Sequence, residues 1–178
     1  RKRPAPSRRE REISMVIANA LSPAIFLEEF PKAVIDVYVT VIQADGGTRC
    51  AATNAASLAL ADAGIPMRSL VPSIAVGKAE GKLLVDLGDQ EDKYGGGDIP
   101  LAILPENEEI VLLQQEGSFS REEIVEAIKM GINSCKYLHE LQKDALKMAY
   151  SKKAPADDED YEDDLEHVPG EDFPEEDE

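Results

Sequence analysis

A chain of 178 residues with 43% apolar content is long enough to bury one sizeable core. No apolar run approaches the roughly 20 residues that a membrane span needs, so membrane insertion is not expected. Two cysteines, Cys50 and Cys135, without CxxC spacing fit small buried hydrophobes kept reduced in a cytoplasmic protein better than a disulfide framework or a zinc site.

The net charge of −17 is unevenly held. Residues 157–178 carry 14 of the 36 acids and no Lys or Arg, which leaves 22 acids against 19 bases, about −3, for residues 1–156. The expected organisation is therefore a folded domain over residues 1–153 and a disordered acidic tail over 154–178, too polar to offset its ordering entropy. The tail reads as a solubilising segment or as a competitor for a basic surface. The chain starts at Arg1 without an initiator Met and reads as the downstream part of something longer.

In chain order, Ser7-Arg-Arg-Glu10 is a capping box that opens a helix. Ile13, Val16, Ile17, Ala20 and Leu21 follow at helical spacing, and Pro23 ends the helix. Ala33 to Gln43, rich in β-branched residues, predicts a strand. Asp45-Gly-Gly-Thr-Arg49 is the turn after it. An alanine-rich helix runs from about Arg49 to Ala63, with Gly64-Ile-Pro66 as its stop. So many alanines imply close approach to whatever the helix packs on. Ser69 to Gly77 with Lys82 to Asp86, and Asp98 to Leu104 with Glu109 to Gln115, read as two strand pairs. Ser120-Arg-Glu-Glu123 is a second capping box, opening a long helix with its apolar face at Ile124, Ile128, Gly131, Cys135, Leu138 and Leu141. His139 reads as a surface or half-buried side chain of that helix. The class is α+β with mixed sheets and no internal repeat.

Three features carry chemistry. Arg8 and Arg9 fall in the first turn of a helix, where open N–H groups and the positive dipole end already favour an anion. Cations are out of place there unless they bind phosphate or pair with an acid such as Glu10 or Glu12. Gly46-Gly-Thr-Arg49 repeats the theme: glycines allow close approach, Thr48 suits an N-cap, and Arg49 stands at a helix start. Third, Glu91-Asp-Lys-Tyr-Gly-Gly-Gly-Asp98 brings Asp92 and Asp98 into a glycine-rich connection between strands. There two carboxylates suit a divalent cation or a proton transfer, or simply make a solvated turn.

Ile42-Gln-Ala-Asp-Gly-Gly-Thr-Arg49 followed by Leu60-Ala-Asp-Ala-Gly-Ile-Pro66 closely resembles the RNase PH family. The likeness extends to Ser7-Arg-Arg-Glu10, Gly77-Lys-Ala-Glu-Gly-Lys82 and the Asp92…Asp98 segment, and covers roughly residues 1–150. Within the family, Arg3-Pro-Ala-Pro-Ser-Arg-Arg9 looks most like the catalytic ring subunit of the archaeal exosome, with bacterial RNase PH second. The resemblance implies an RNase PH-like fold (ribosomal protein S5 domain 2-like) and phosphorolysis, in which inorganic phosphate attacks the 3′-terminal linkage of RNA and releases a nucleoside diphosphate. It further implies that Gly47, Thr48, Arg49 and Arg9 hold the phosphate, and that Arg8 contacts the RNA backbone. Asp92 and Asp98 would form the catalytic pair, one protonating the leaving 3′ oxygen and the two able to hold Mg²⁺.

Expected partners are a single-stranded RNA 3′ end, a homologous sister subunit in a hexameric ring, and RNA-binding cap proteins. The family's upstream strands, with basic residues that track RNA, would lie before Arg1, and the acidic tail falls outside the family pattern. Two other readings are a homohexameric enzyme trimming tRNA 3′ ends and a non-catalytic RNA-binding ring subunit. The complete set Arg8, Arg9, Arg49, Asp92 and Asp98 favours catalysis over the last.

Overall fold

A computed structural model describes residues 6–153; the expectation of a disordered tail lies outside them. The first helix, α1 (Arg8–Leu21), begins as its sequence predicts. The Ser7 hydroxyl accepts from Glu10 N at 3.2 Å, and the Glu10 carboxylate accepts from Ser7 N. Its end passes into a 3₁₀ turn, Ser22–Ala24, that contains Pro23. After a second such turn at Leu27–Glu29, the chain enters α2 (Thr48–Asp62), β1 (Ser73–Ala79) and β2 (Lys82–Val85). A short helix, α3 (Asp89–Tyr94), leads to β3 (Gly97–Leu104), β4 (Glu109–Leu113) and the two-residue β5 (Glu116–Gly117). The long helix α4 (Arg121–Lys153) follows, its start closed by the Ser120–Glu123 capping box.

The strands form one sheet in the order β2-β1-β3-β4, with β5 added along β3. Every pairing among the described residues is antiparallel, so the α+β class holds but the sheet is not mixed. The tight connection at Glu80–Gly81 permits only an antiparallel hairpin. β2 and β3, which share a direction, are kept apart by β1 between them.

The period-two alternation of side chains divides the sheet into two faces. Ile74, Val76, Ile99, Leu101 and Ile103 point to α4 and form one core cluster with Ala127 and Cys135. Ala102, Leu104 and Leu112 point the other way, to Ile17, Ala20, Leu21, Ala52, Ala56 and Leu60 of α1 and α2. The second cluster joins the stretch before residue 66 to the sheet, so both halves of the chain share one core. The alanines of α2 allow the close approach that their number implies. Ser57 Oγ accepts from Val71 N at 2.8 Å, and Asn54 exchanges two 2.8 Å bonds with the backbone of Ser73.

Three local expectations fail. Residues 33–43 form no regular secondary structure and are unpaired among the described residues, with Val34, Tyr38 and Ile42 82–97% exposed. β-branched residues favour an extended backbone, whereas a strand also needs a neighbour to hydrogen-bond. A hollow of about 860 Å³ separates the apolar side of this segment (Ile35, Val37, Val39, Val41) from α1. On α4, Leu141 is exposed, and the next residue, Gln142, is buried instead and bonded to Asn54. The helix there leaves the sheet and runs past α2, whose facing surface is polar. Finally, α2 starts one residue earlier than expected, so Gly47 rather than Thr48 is the N-cap.

Candidate active site

The cleft grows out of the change in side chains along the α1/α2 face of the sheet. Toward one end of β3 the filled positions Leu104 and Ala102 give way to Pro100 and Asp98, opposite Ala75 and Gly77 of β1. Leu87 packs over Gly77, and beside it Ala75, Pro100 and Asp98 leave room on this face. The result is a hollow of about 620 Å³ lined by Arg9, Gly47, Thr48 and Arg49 on one side and by Asp92, Lys93, Asp98 and Glu116 on the other. All the sequence-predicted site residues line it except Arg8, which is exposed outside.

The turn before α2 is shaped by its glycines. Gly46 (φ 76°) and Gly47 (φ 54°) both occupy the left-handed region. A side chain at Gly46 would run into the carbonyl oxygen of Leu87. The turn is clamped to α3, because Asp45 Oδ1 accepts from Asp89 N at 3.2 Å. As N-cap, Gly47 offers no side chain, and no other side chain among the described residues caps α2. The first N–H groups of the helix therefore stay open at the cleft, beside the positive dipole end. The α1 start differs, since its capping box already takes up donors. The two helix starts thus differ: α2 supplies open N–H groups, while α1 lines the cleft with Arg9 and Ile13.

Arg49, three-quarters buried, is held from below. Its Nη2 donates to both oxygens of Glu12 at 3.3 Å, and Gln114 Nε2 donates to Glu12 Oε1 at 3.2 Å. Glu12 thus pairs with Arg49, not with Arg8 or Arg9, neither of which forms an ion pair among the described residues. The Gln114 hydrogen bond, together with Arg49 and more distantly Arg9, holds the Glu12 carboxyl below the usual carboxylate range. Arg49 Nε is buried without an acceptor among the described residues.

The acidic side is no loop. Asp92 sits on α3, whose N-terminal Gly88 N–H donates to Glu91 Oε2 at 2.7 Å. Asp98 sits in β3, in register with Gly77 on one side and Glu116 on the other. A helix forms because Asp89, Glu91 and Asp92 fill its first turn, where acids suit the dipole. Gly97 (φ 134°) lets β5 come close, since a Cβ there would meet the Glu116 carbonyl. Burial, then Asp92, then Glu116 push the Asp98 carboxyl above its ordinary range.

Among the described residues no three His, Cys, Asp or Glu side chains converge to hold a metal. Two carboxylates nevertheless suit Mg²⁺, which keeps several waters and takes one or two carboxylates together with substrate phosphates. A divalent cation would also relieve the like-charge repulsion at Asp98. Both cysteines are buried and reduced, and burial pushes their thiols up to about 11 for Cys50 and about 12 for Cys135. Burial pushes the half-buried His139 below its usual range, and it lies outside the cleft lining.

Glu12, Gln114, Lys93 and Glu116 belong to the site but carry no signal of their own in the sequence. Glu12 was visible as a possible arginine partner, though for the wrong arginines. Glu116 becomes a neighbour of Asp98 only through a two-residue strand.

A cleft that combines an open helix N-terminus, arginines and a facing carboxylate pair defines a site for an anionic substrate with acid or metal chemistry beside it. The comparisons with known proteins show the family. Residues 1–66 match domain 1 and residues 69–134 match domain 2 of the 3′ exoribonuclease family. The chain belongs to this family, the RNase PH family.

It is 52% identical over 154 residues to "Exosome complex component Rrp41" of Pyrococcus furiosus, covering 86% of this chain and 62% of that protein. To the protein of the same name in Nitrosopumilus maritimus it is 53% identical over 150 residues, covering 84% and 62%. The chain thus spans about three-fifths of the length of these relatives. Among solved structures, rice (Oryza sativa) Rrp46 superposes with a TM-score of 0.73 over 81% of this chain and 68% of its own, at 23% identity, which speaks for the fold. No helix among the described residues is long and apolar enough to cross a membrane.

Proposed function

We propose that this chain is the catalytic subunit of an exosome-type ring, a 3′→5′ phosphorolytic exoribonuclease that releases nucleoside diphosphates from RNA 3′ ends. The observation that carries the reading is the pairing, across one cleft, of the uncapped α2 N-terminus and Arg49 with Asp92 and Asp98. The identity of half or more to the archaeal "Exosome complex component Rrp41" proteins supports the ring context.

Inorganic phosphate binds at Gly47, Thr48 and Arg49, with Arg9 adding charge. N–H donors and guanidinium forks satisfy its oxygens in a site partly shielded from water. One phosphate oxygen attacks the phosphorus of the last phosphodiester, the bond to the 3′ oxygen of the preceding nucleotide breaks, and the terminal nucleotide departs as a diphosphate. The released 3′ oxygen needs a proton, and the acidic pair stands opposite the phosphate site. The raised carboxyl of Asp98 suits proton donation. Mg²⁺, held by Asp92 and Asp98, would supply charge neutralisation at the reacting phosphates when bound. Arg8, outside the cleft and exposed, is assigned to the RNA backbone. A sister subunit of the same family completes the ring, RNA-binding caps feed it, and the cytoplasm is the expected compartment.

The test is to incubate the chain, alone and with a sister subunit, with 3′-extended single-stranded RNA, with and without phosphate. Nucleoside diphosphates that depend on phosphate support the reading. Monophosphates without phosphate would mean hydrolysis, and RNA binding without products would mean a scaffold. Full activity of the chain alone on tRNA 3′ ends would favour the tRNA-trimming enzyme.

A further inference from the structure

The carboxylate of Glu12 serves neither the capping of α1 nor the Arg8–Arg9 pair in its own helix. It reaches across to α2 and takes Arg49 Nη2 on both oxygens at 3.3 Å, while Gln114, from just beyond β4, donates to it at 3.2 Å. Three stretches distant in sequence thus meet at one carboxylate. Glu12 and Gln114 are absent from the cleft lining, whereas Arg49 belongs to it. The hold is one-sided: Nη2 is taken, and the buried Nε has no acceptor among the described residues. A buried N–H left open is costly unless a ligand completes it.

We propose that Glu12 is the positioning residue of the phosphate site: it fixes Arg49 from behind so that the remaining donors of the guanidinium meet the anion already oriented. An arginine has several rotatable bonds, and holding it before the ligand arrives removes the ordering cost from binding. Gln114 acts one step further back by fixing the Glu12 rotamer. The lowered carboxyl of Glu12 keeps it charged through the neutral range, as this role requires. The inference rests on the reading of the cleft as a phosphate site, and it does not need the RNA chemistry to hold.

The experiment is calorimetric titration of the RNA-free protein with inorganic phosphate for wild type, Glu12→Gln, Arg49→Ala and the double variant. The same four are then assayed for the phosphate KM and kcat of diphosphate release, with a melting curve for each. Glu12→Gln should weaken phosphate binding about tenfold and raise KM by the same factor, with kcat at saturating phosphate within about twofold. In the Arg49→Ala background it should change nothing further. A merely structural Glu12 would weaken phosphate binding equally in both backgrounds, and that result overturns the proposal. Unchanged phosphate affinity in Glu12→Gln overturns it too, while leaving the function intact. Arg49-dependent phosphate binding weakened by Glu12→Gln, in a protein that makes no diphosphates, would sink the phosphorolytic reading and leave the positioning role standing.

Discussion

On the α2 side of the cleft Arg49 faces Glu12, which in turn accepts from Gln114, so charge meets opposite charge before any ligand arrives. On the β3 side, 49 residues further along the chain, Asp98 faces Asp92 and stands in register with Glu116, so charge meets like charge. The first wall is a preorganised receptor that contributes to the fold. The second costs the fold stability, since like charges directly opposite on neighbouring strands repel. Such a cost suits a place where a proton or a cation is to be received. The comparison separates binding from chemistry within a single hollow, and each wall can be broken without the other.

The largest expected effect is on the acidic wall. Asp92→Asn should lower turnover by about 10²- to 10⁴-fold, the range for disabling an acid–base group, because Asp92 helps to hold the Asp98 carboxyl raised, with RNA binding and ring assembly kept. An unchanged rate would remove Asp92 from the mechanism. On the opposite wall, Arg49→Ala should raise the phosphate requirement about ten- to a hundredfold, as expected for a charged hydrogen bond worth about 1.5–3 kcal/mol. RNA affinity should fall much less, and equal losses would contradict the division of labour.

Gly97→Ala should destabilise the protein by about 1–3 kcal/mol in a denaturant titration, because φ 134° is strained for any side chain and β5 lies against it. A neutral result would mean that β5 is not fixed.

The smallest effect sharpens the comparison most. Because the folded carboxyl of Asp98 is raised, the native state keeps a proton that the unfolded chain releases. Stability then falls as pH climbs through the window above the ordinary aspartate pKa. Asp98→Asn should abolish that fall and leave the protein as stable or up to about 1 kcal/mol more stable at neutral pH, although inactive. Glu12 has the opposite sign. Its contribution is present above the ordinary glutamate range and is lost as pH drops through its lowered folded pKa. Melting curves of the two variants between acid and neutral pH should therefore diverge in opposite directions.

The elements closed by local chemistry were legible in the chain. Both capping boxes form, β2 to β4 lie close to where the sequence puts them while β1 starts at Ser73 rather than Ser69, and the alanines of α2 announce its close packing. Elements that depend on a distant neighbour were not. Residues 33–43 have the composition of a strand and no paired neighbour among the described residues, and the two residues of β5 have no composition to read. The same division runs through the site. Gly47, Thr48, Arg49, Arg9, Asp92 and Asp98 advertise themselves by charge and turn chemistry, and they line one hollow. Glu12, Gln114 and Glu116 look like ordinary surface residues until helix packing and strand register bring them to Arg49 and Asp98.

Isotope-labelled inorganic phosphate supplied with RNA to the assembled ring tests the central claim most directly. If the α2 wall presents phosphate as the nucleophile, the label will appear in the β-phosphate of the released nucleoside diphosphate, one label per nucleotide removed. Label remaining in free phosphate while nucleotides are released as monophosphates would contradict the account, because water rather than phosphate would then be attacking.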